Sequence, residues 1–197
     1  MKINENTISV FLLGILIGIV FVRYVNYFKK PIQDIDIDNF EYEKESLYTI
    51  KREELKNNYY QCLDQKVYWG TDSLQTSTLR ELCSDEKLFF CFSETACPPC
   101  IETVIDMLNG AFPKEEIDKR VIFVSPDYPI RLRNDCYGRK LLNLQNKIFG
   151  LPLERQESFP PFLFVLDNKL RVKYLHIYNK VFPQLTSIYL EEIKFSD

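Results

Sequence analysis

The sequence predicts an α/β domain, a mixed β-sheet flanked by helices, behind a single N-terminal transmembrane helix. Three observations carry that prediction. Residues 87–92 are a run of strand type, apolar at successive positions after Lys87 as a buried parallel strand is. A short polar turn then leads into Cys97-Pro98-Pro99-Cys100, after which Ile101, Val104, Ile105 and Leu108 repeat at helical spacing until Gly110. Further along, strand-type and helix-type segments alternate and end in two strand runs joined at Asp167-Asn168, with a last helix behind them. The transmembrane helix is read from the other end: residues 8–22 are apolar except for Ser9, Gly14 and Gly18.

Composition limits the classes. The 197 residues are 46% hydrophobic and 14% aromatic, enough for one globular domain with appendages. With 25 Lys and Arg against 28 Asp and Glu there is no basic excess, so a nucleic-acid partner has no electrostatic support. Six cysteines are too few to build a disulfide scaffold of this length, though they are compatible with an oxidising compartment.

In chain order, residues 1–30 read as the anchor. Residues 8–22 are short for a span, but Tyr24, Val25, Tyr27 and Phe28 extend the run past Arg23, whose long stem can snorkel. Tyr24 and Tyr27 followed by Lys29-Lys30 suit the membrane interface. No small-x-small site follows the run and no cysteine stands there for lipid attachment, so an uncleaved anchor is expected rather than a signal peptide. The Gly14/Gly18 pair reads as tolerated small residues more than as a dimerisation face. Residues 31–65 are tethering material: acidic and extended around Asp34-Ile35-Asp36, then helical in tendency over residues 43–62, with Leu47, Ile50, Leu55 and Tyr59 roughly on one face. They read as a solvated stalk, and Cys62 there as incidental.

Residues 66–197 form the globular domain. Residues 66–69 are a short edge strand, 76–82 a helical turn and 87–92 the central strand. Residues 120–124 are a second apolar strand, ending in Ser125-Pro126-Asp127. A helical region is expected over residues 130–148, interrupted at Gly138. Ser158-Phe159-Pro160-Pro161 leads into a strand at 162–166, a return strand covers 170–178, and a closing helix covers 184–193 with Pro183 at its start.

The chemistry concentrates at the Cys-x-x-Cys. A thiolate is the nucleophile in disulfide exchange, and a helix N-terminus stabilises it through unpaired N–H groups and the dipole. Cys97 is then the exposed attacking sulfur. Cys100, nearly one turn on and one layer deeper, is placed to attack a mixed disulfide at Cys97 and release the partner. Pro98 and Pro99 fit the first turn but remove donors and carry no charge, and Glu94 nearby disfavours a thiolate. Moderate acidification of Cys97 is therefore expected. A structural zinc site and an inert pair are the rivals. Cys62, Cys83, Cys91 and Cys136 stand singly, and His176 is the one histidine, so a four-ligand set is not in view and no metal is expected. Copper handling by the dithiol with His176 is set aside, because a lone strand histidine is more often a packing residue.

These features resemble the thioredoxin fold, and in detail its TlpA-like, membrane-tethered branch, over residues 66–197. Thr76-Ser77-Thr78-Leu79-Arg80-Glu81-Leu82 is similar to the short turn before that branch's first central strand. Cys97-Pro98-Pro99-Cys100 is a frequent variant there, and Pro161 with Asp167 six residues on matches the family's cis-proline and the aspartate ending the next strand. The resemblance implies a thiol–disulfide oxidoreductase without a cofactor. In it Cys97 is the nucleophile, Cys100 the resolving thiol, and Pro161 shapes a substrate groove with Pro160, Ala96, Pro98 and Pro99. Three departures stand out. Pro160 before Pro161 has no N–H for a substrate segment, and is itself a candidate for the cis residue. Ala96 stands where a tryptophan is usual. Cys91 occupies the position of a buried carboxylate that serves the second cysteine, leaving Cys91 itself, Glu94 or water as proton-transfer neighbours. A peroxidase of the related peroxiredoxin class is set aside, since Glu94 stands where its threonine would be.

The resemblance further implies partners: proteins bearing disulfides or thiols, and a membrane electron-donor protein. It implies an extracytoplasmic domain, periplasmic in a cell with two membranes. The flanking charges alone, Lys2 before the span and Arg23, Lys29 and Lys30 after it, favour the opposite side. A non-catalytic binding module on the same fold is the alternative, motivated by Pro160 and Ala96.

Overall fold

The computed structural model describes residues 37–155 and 159–193. The expected span at residues 8–22 lies outside them. Among the described residues no helix is long and apolar enough to cross a membrane. The chain divides into two compact units, Met1–Glu45 and Ser46–Asp197.

A helix, α1, covers Ile37–Asn57, longer than the helical tendency read from residues 43–62. Its strong helix formers are supplemented by i,i+3 pairs, Lys51 with Glu54 and Lys56 with Glu53, each at 2.6 Å. Its last turns are not a solvated face: Glu54 and Asn57 are buried.

The sheet has seven strands in the order β2-β1-β5-β4-β3-β6-β7. In chain order these are β1 (Lys66–Trp69), β2 (Thr76–Thr78), β3 (Lys87–Cys91), β4 (Val121–Val124), β5 (Leu142–Leu144), β6 (Phe162–Leu166) and β7 (Val172–Ile177). β3 is central, parallel to β4 and antiparallel to β6. It is buried at every position, Lys87 included, which explains the apolar run that follows that lysine. The expected turn over residues 76–82 divides into β2 and a short helix α2 (Leu79–Leu82). The divide is at Thr78, whose hydroxyl accepts from the Glu81 N–H while its own N–H donates to the Glu81 carboxylate, a capping box.

Helices cover both faces. On one face α3 (Pro98–Ala111), α4 (Lys114–Arg120) and α5 (Gln184–Glu192) bury Ile101, Val104, Leu108, Ile117 and Leu190 against Leu88, Phe90, Phe123, Leu163 and Val165. On the other, Leu79, Cys83, Phe149, Leu151 and Leu153 pack on Phe89, Cys91, Phe162 and Phe164. The alternation of β3 thus sends Phe90 to one face and Phe89 and Cys91 to the other. A parallel β3–β4 pair bridged by helices, an antiparallel β6–β7 hairpin and a closing helix fit the thioredoxin-like fold.

The helix expected over residues 130–148 does not form. A 3₁₀ turn at Ile130–Leu132, a left-handed turn at Tyr137 and Gly138 (φ 52° and 76°) and β5 take its place. The apolar spacing that reads as helical serves a short strand buried between β1 and β4: Leu142 and Leu144 lie opposite Trp69 and Val67. The Arg133 guanidinium fixes the loop before it, donating to the Tyr128 carbonyl at 2.8 Å, to the Pro126 carbonyl at 3.0 Å and to the Asn143 side chain. Buried pairing overrides local propensity here.

Candidate active site

The dithiol stands at the N-terminus of α3, directly off the end of the central strand. Cys97 is the N-cap residue, with Pro98 and Pro99 in the first turn, and its carbonyl accepts from the Cys100 N–H at 2.9 Å and the Ile101 N–H at 3.2 Å. Cys97 is exposed and Cys100 half-buried behind it. No cap hydrogen bond forms to the Cys97 side chain, yet the Cys100 thiol and N–H draw its pKa below the ordinary thiol value. Burial, and the anion it would share with Cys97, push Cys100 up to about 11. One sulfur is thus favoured as thiolate and the other as thiol.

The turn presenting Cys97 is fixed from β4. Asp127 accepts from the Glu94 N–H at 2.8 Å, from the Ser125 hydroxyl at 3.3 Å and from the Ser93 hydroxyl. The Ala96 N–H closes the turn onto the Ser93 carbonyl at 3.0 Å. Asp127 is visible in the sequence only as part of a strand end, because its role depends on the parallel pairing of β3 with β4.

A groove of about 340 Å³ joins the dithiol to the diproline. Cys97, Cys100, Thr95 and Ala96 form one wall, and Phe159, Pro160 and Pro161 the other, with Ile50, Ile177, Tyr178, Asn179 and Lys180 completing it. Ala96 is buried rather than exposed at the rim. Pro98 and Pro99 are exposed beside Cys97 but outside the groove. A larger depression of about 820 Å³, lined by Lys66, Tyr68 and Arg133 among others, contains neither cysteine.

Two features differ from what the resemblance implies. No peptide bond among the described residues is cis, so Pro160 and Pro161 are both trans. The extended course that a following proline imposes on Pro160 runs straight into β6, and the Pro161 carbonyl accepts from the Tyr178 N–H at 2.8 Å, prolonging the β6–β7 ladder. Neither expected proton-transfer neighbour meets Cys100. Cys91 is fully buried on the opposite face of the sheet, where burial raises its thiol well above the ordinary value and Glu154 and Cys62 face it. Glu94 is exposed and held through its N–H by Asp127. Tyr178, a buried phenol hydrogen-bonded to Thr103 of α3, does face both sulfurs, as does the Lys180 ammonium.

Lys180, Tyr178, Asn179 and Phe159 were not singled out by the sequence. A signal exists for three of them: once residues 162–166 and 170–178 are read as a hairpin, antiparallel register puts Ile177 opposite Phe162. Residues 178–180 must then emerge at the diproline end.

No family model and no curated protein matches the chain. Among solved structures it is similar to a thioredoxin-like protein from Bacteroides caccae, at 18% identity and a TM-score of 0.47 over 83% of this chain and 58% of that one. It is similar also to a thiol:disulfide interchange protein from Bacteroides sp., at 14% identity and a TM-score of 0.40 over 68% of this chain and 90% of that one. A DsbF homologue from Corynebacterium diphtheriae aligns at 16% identity and a TM-score of 0.38, over 66% of this chain and 85% of that one.

Proposed function

We propose that this protein is a membrane-anchored thiol–disulfide oxidoreductase that reduces disulfides of extracytoplasmic proteins through Cys97 and Cys100. The observation that carries the reading is an exposed, acidified thiol at a helix N-terminus, backed by a high-pKa thiol and opening on a peptide-sized apolar groove. The Cys97 thiolate attacks one sulfur of the substrate disulfide. The substrate S–S bond breaks, a Cys97–substrate disulfide forms, and the departing thiolate takes a proton from solvent. Cys100 then loses its proton and attacks Cys97. The mixed disulfide breaks, the second substrate thiol leaves, and the two electrons gained by the substrate are balanced by the new Cys97–Cys100 disulfide. A membrane dithiol protein returns the pair to its reduced form.

The reductive direction rests on the diproline. A strongly oxidising pair needs a heavily stabilised thiolate, and Pro98 and Pro99 supply neither charge nor N–H donors. The anchor and the extracytoplasmic placement rest on the apolar run at residues 8–22 and on the resemblance.

The test is trapping. Cys100→Ser in the full-length protein accumulates mixed disulfides at Cys97, and Cys97→Ser does not. A tethered binding module, the reading that Pro160 with its missing N–H and Ala96 would favour, gives none in either variant. A reduction potential near or below about −220 mV supports the reductive direction, and one near about −120 mV reverses it. An alkaline-phosphatase fusion after Lys66 is active if the domain is extracytoplasmic; a well-expressed but silent fusion overturns that placement.

A further inference from the structure

Among the described residues, Lys180 is the one charged side chain lining the dithiol groove, whose remaining walls include Ile50, Ala96, Phe159, Pro160 and Pro161. Among the described residues no carboxylate lines it. The lysine is exposed, and among the described residues it takes part in no ion pair, whereas Lys51, Lys87 and Lys173 each do. Its backbone is nonetheless fixed. The Asn179 carbonyl accepts from the Phe182 N–H at 3.2 Å, and the Asn179 side-chain oxygen accepts from the Val181 N–H at 2.8 Å. Both bonds close a turn with Lys180 at its corner, between the end of β7 and Pro183 at the head of α5. Among the described residues this leaves an unpaired cation on a hydrogen-bonded turn beside an apolar groove.

Resting on the oxidoreductase reading, we infer that Lys180 selects substrates in which the disulfide cysteine is flanked by an apolar residue and an acidic one. The apolar side chain enters the groove beside Phe159 and Pro161, and the carboxylate pairs with the Lys180 ammonium. Charge balance gives the lysine this role. An acidic segment approaching a thiolate is repelled, and a cation between the two anions removes the repulsion. Lys180 faces both sulfurs closely enough to favour their ionised forms. Among the described residues, the other titratable groups facing the dithiol are the two cysteines themselves and Tyr178, none of them cationic. When Cys97 becomes bonded to substrate its charge moves to the departing thiolate, and Lys180 remains to pair with the substrate carboxylate.

The test compares two symmetrical disulfides, those of the acetylated, amidated tripeptides Leu-Cys-Asp and Leu-Cys-Lys. Single-turnover thiol release by the reduced full-length protein is measured and divided by the rate with dithiothreitol, which cancels the peptides' intrinsic reactivity. The corrected rate favours the acidic peptide about fivefold at low salt and approaches parity near 0.5 M salt, as expected for one exposed ion pair. Lys180→Arg keeps the preference, Lys180→Met removes it and Lys180→Glu inverts it. A wild-type ratio near one, or a preference that survives in Lys180→Glu, overturns the inference and leaves the oxidoreductase reading standing. Wild-type protein with both thiols free that reduces neither peptide fails the oxidoreductase reading itself.

Discussion

Cys97 and Cys100 lie within one helical turn yet titrate in opposite directions, and reactivity follows from that split. Cys97 sits below the ordinary thiol range because the Cys100 thiol and N–H stabilise its anion. Cys100, pushed up to about 11 by burial and by Cys97, stays protonated at neutral pH. Iodoacetamide therefore modifies Cys97 first, with a midpoint below that of an ordinary cysteine thiol. Below that midpoint the rate falls about tenfold per pH unit as the thiolate is lost, and Cys100 shows no matching phase near neutrality. Equal labelling of both sulfurs at pH 7 would contradict the assignment of nucleophile and resolving thiol. The motif and its roles were legible in the sequence because they are local. The placement of Cys91 was half legible: alternation along Phe89-Phe90-Cys91-Phe92 puts it opposite Phe90, but which face receives α3 is a tertiary fact. Asp127 was not legible at all, since its partners Ser93 and Glu94 lie more than thirty residues away. Asp127→Ala removes the acceptor of the Glu94 N–H and costs about 1 kcal/mol in urea unfolding, and Asp127→Asn, which keeps an oxygen, costs less.

The first turn of α3 is where sequence tunes the chemistry. An N-cap side chain can accept from the N–H at the second and third helical positions. Here the third is Cys100, which has an N–H, and the second is Pro99, which has none. Pro99→Ala restores the missing donor. The expected result is about threefold more thiolate at pH 7 and a reduction potential higher by roughly 15 mV, since about 30 mV corresponds to tenfold for a two-electron couple. An unchanged potential would mean that the new N–H does not reach the sulfur and that the diproline does not set the redox direction. Elements of this kind, with one dominant period and clear ends, were readable in advance: β3, α3, β6, β7 and α5 all form near their expected bounds. β5 was not, because three residues buried on both faces carry no period that separates strand from helix. The groove wall at residues 178–180 needed the hairpin register in addition to the strands themselves.

Across the whole Ser46–Asp197 unit, the end of α1 and the segment after it close the open edge of the sheet. Tyr59 donates to the Val172 carbonyl at 2.7 Å, Val172 to the Tyr60 carbonyl at 2.9 Å and Cys62 to the Leu170 carbonyl at 2.9 Å. Leu175 donates to the Asn58 side chain at 2.8 Å and Ile177 to the Glu54 carboxylate at 2.9 Å. An uncovered β7 would offer its unpaired groups to other chains. A chain beginning at Ser46 should thus fold, whereas one beginning at Lys66 loses every one of these partners and aggregates or melts markedly lower in circular dichroism. Equal melting of the two would show that the edge contacts contribute little. Glu54 is the centre of this seam. Burial alone would raise its pKa, but His176, Lys51 and the Ile177 N–H outweigh burial and hold the carboxyl below the ordinary range. His176 in turn bonds Thr186 of α5 at 2.8 Å and stacks on Tyr189, so one carboxylate ties α1, β7 and α5 together. A depressed carboxyl pKa contributes stability that is fully present above the unfolded value of about 4.3 and is lost as pH falls through the folded value. Glu54→Gln, which keeps an acceptor but no charge, should be less stable than wild type at pH 7 and lose less stability on acidification, so the two urea midpoints converge toward pH 3. Parallel midpoints across that range would mean that the buried carboxylate is not what fastens the N-terminal helix to the sheet that carries the dithiol groove.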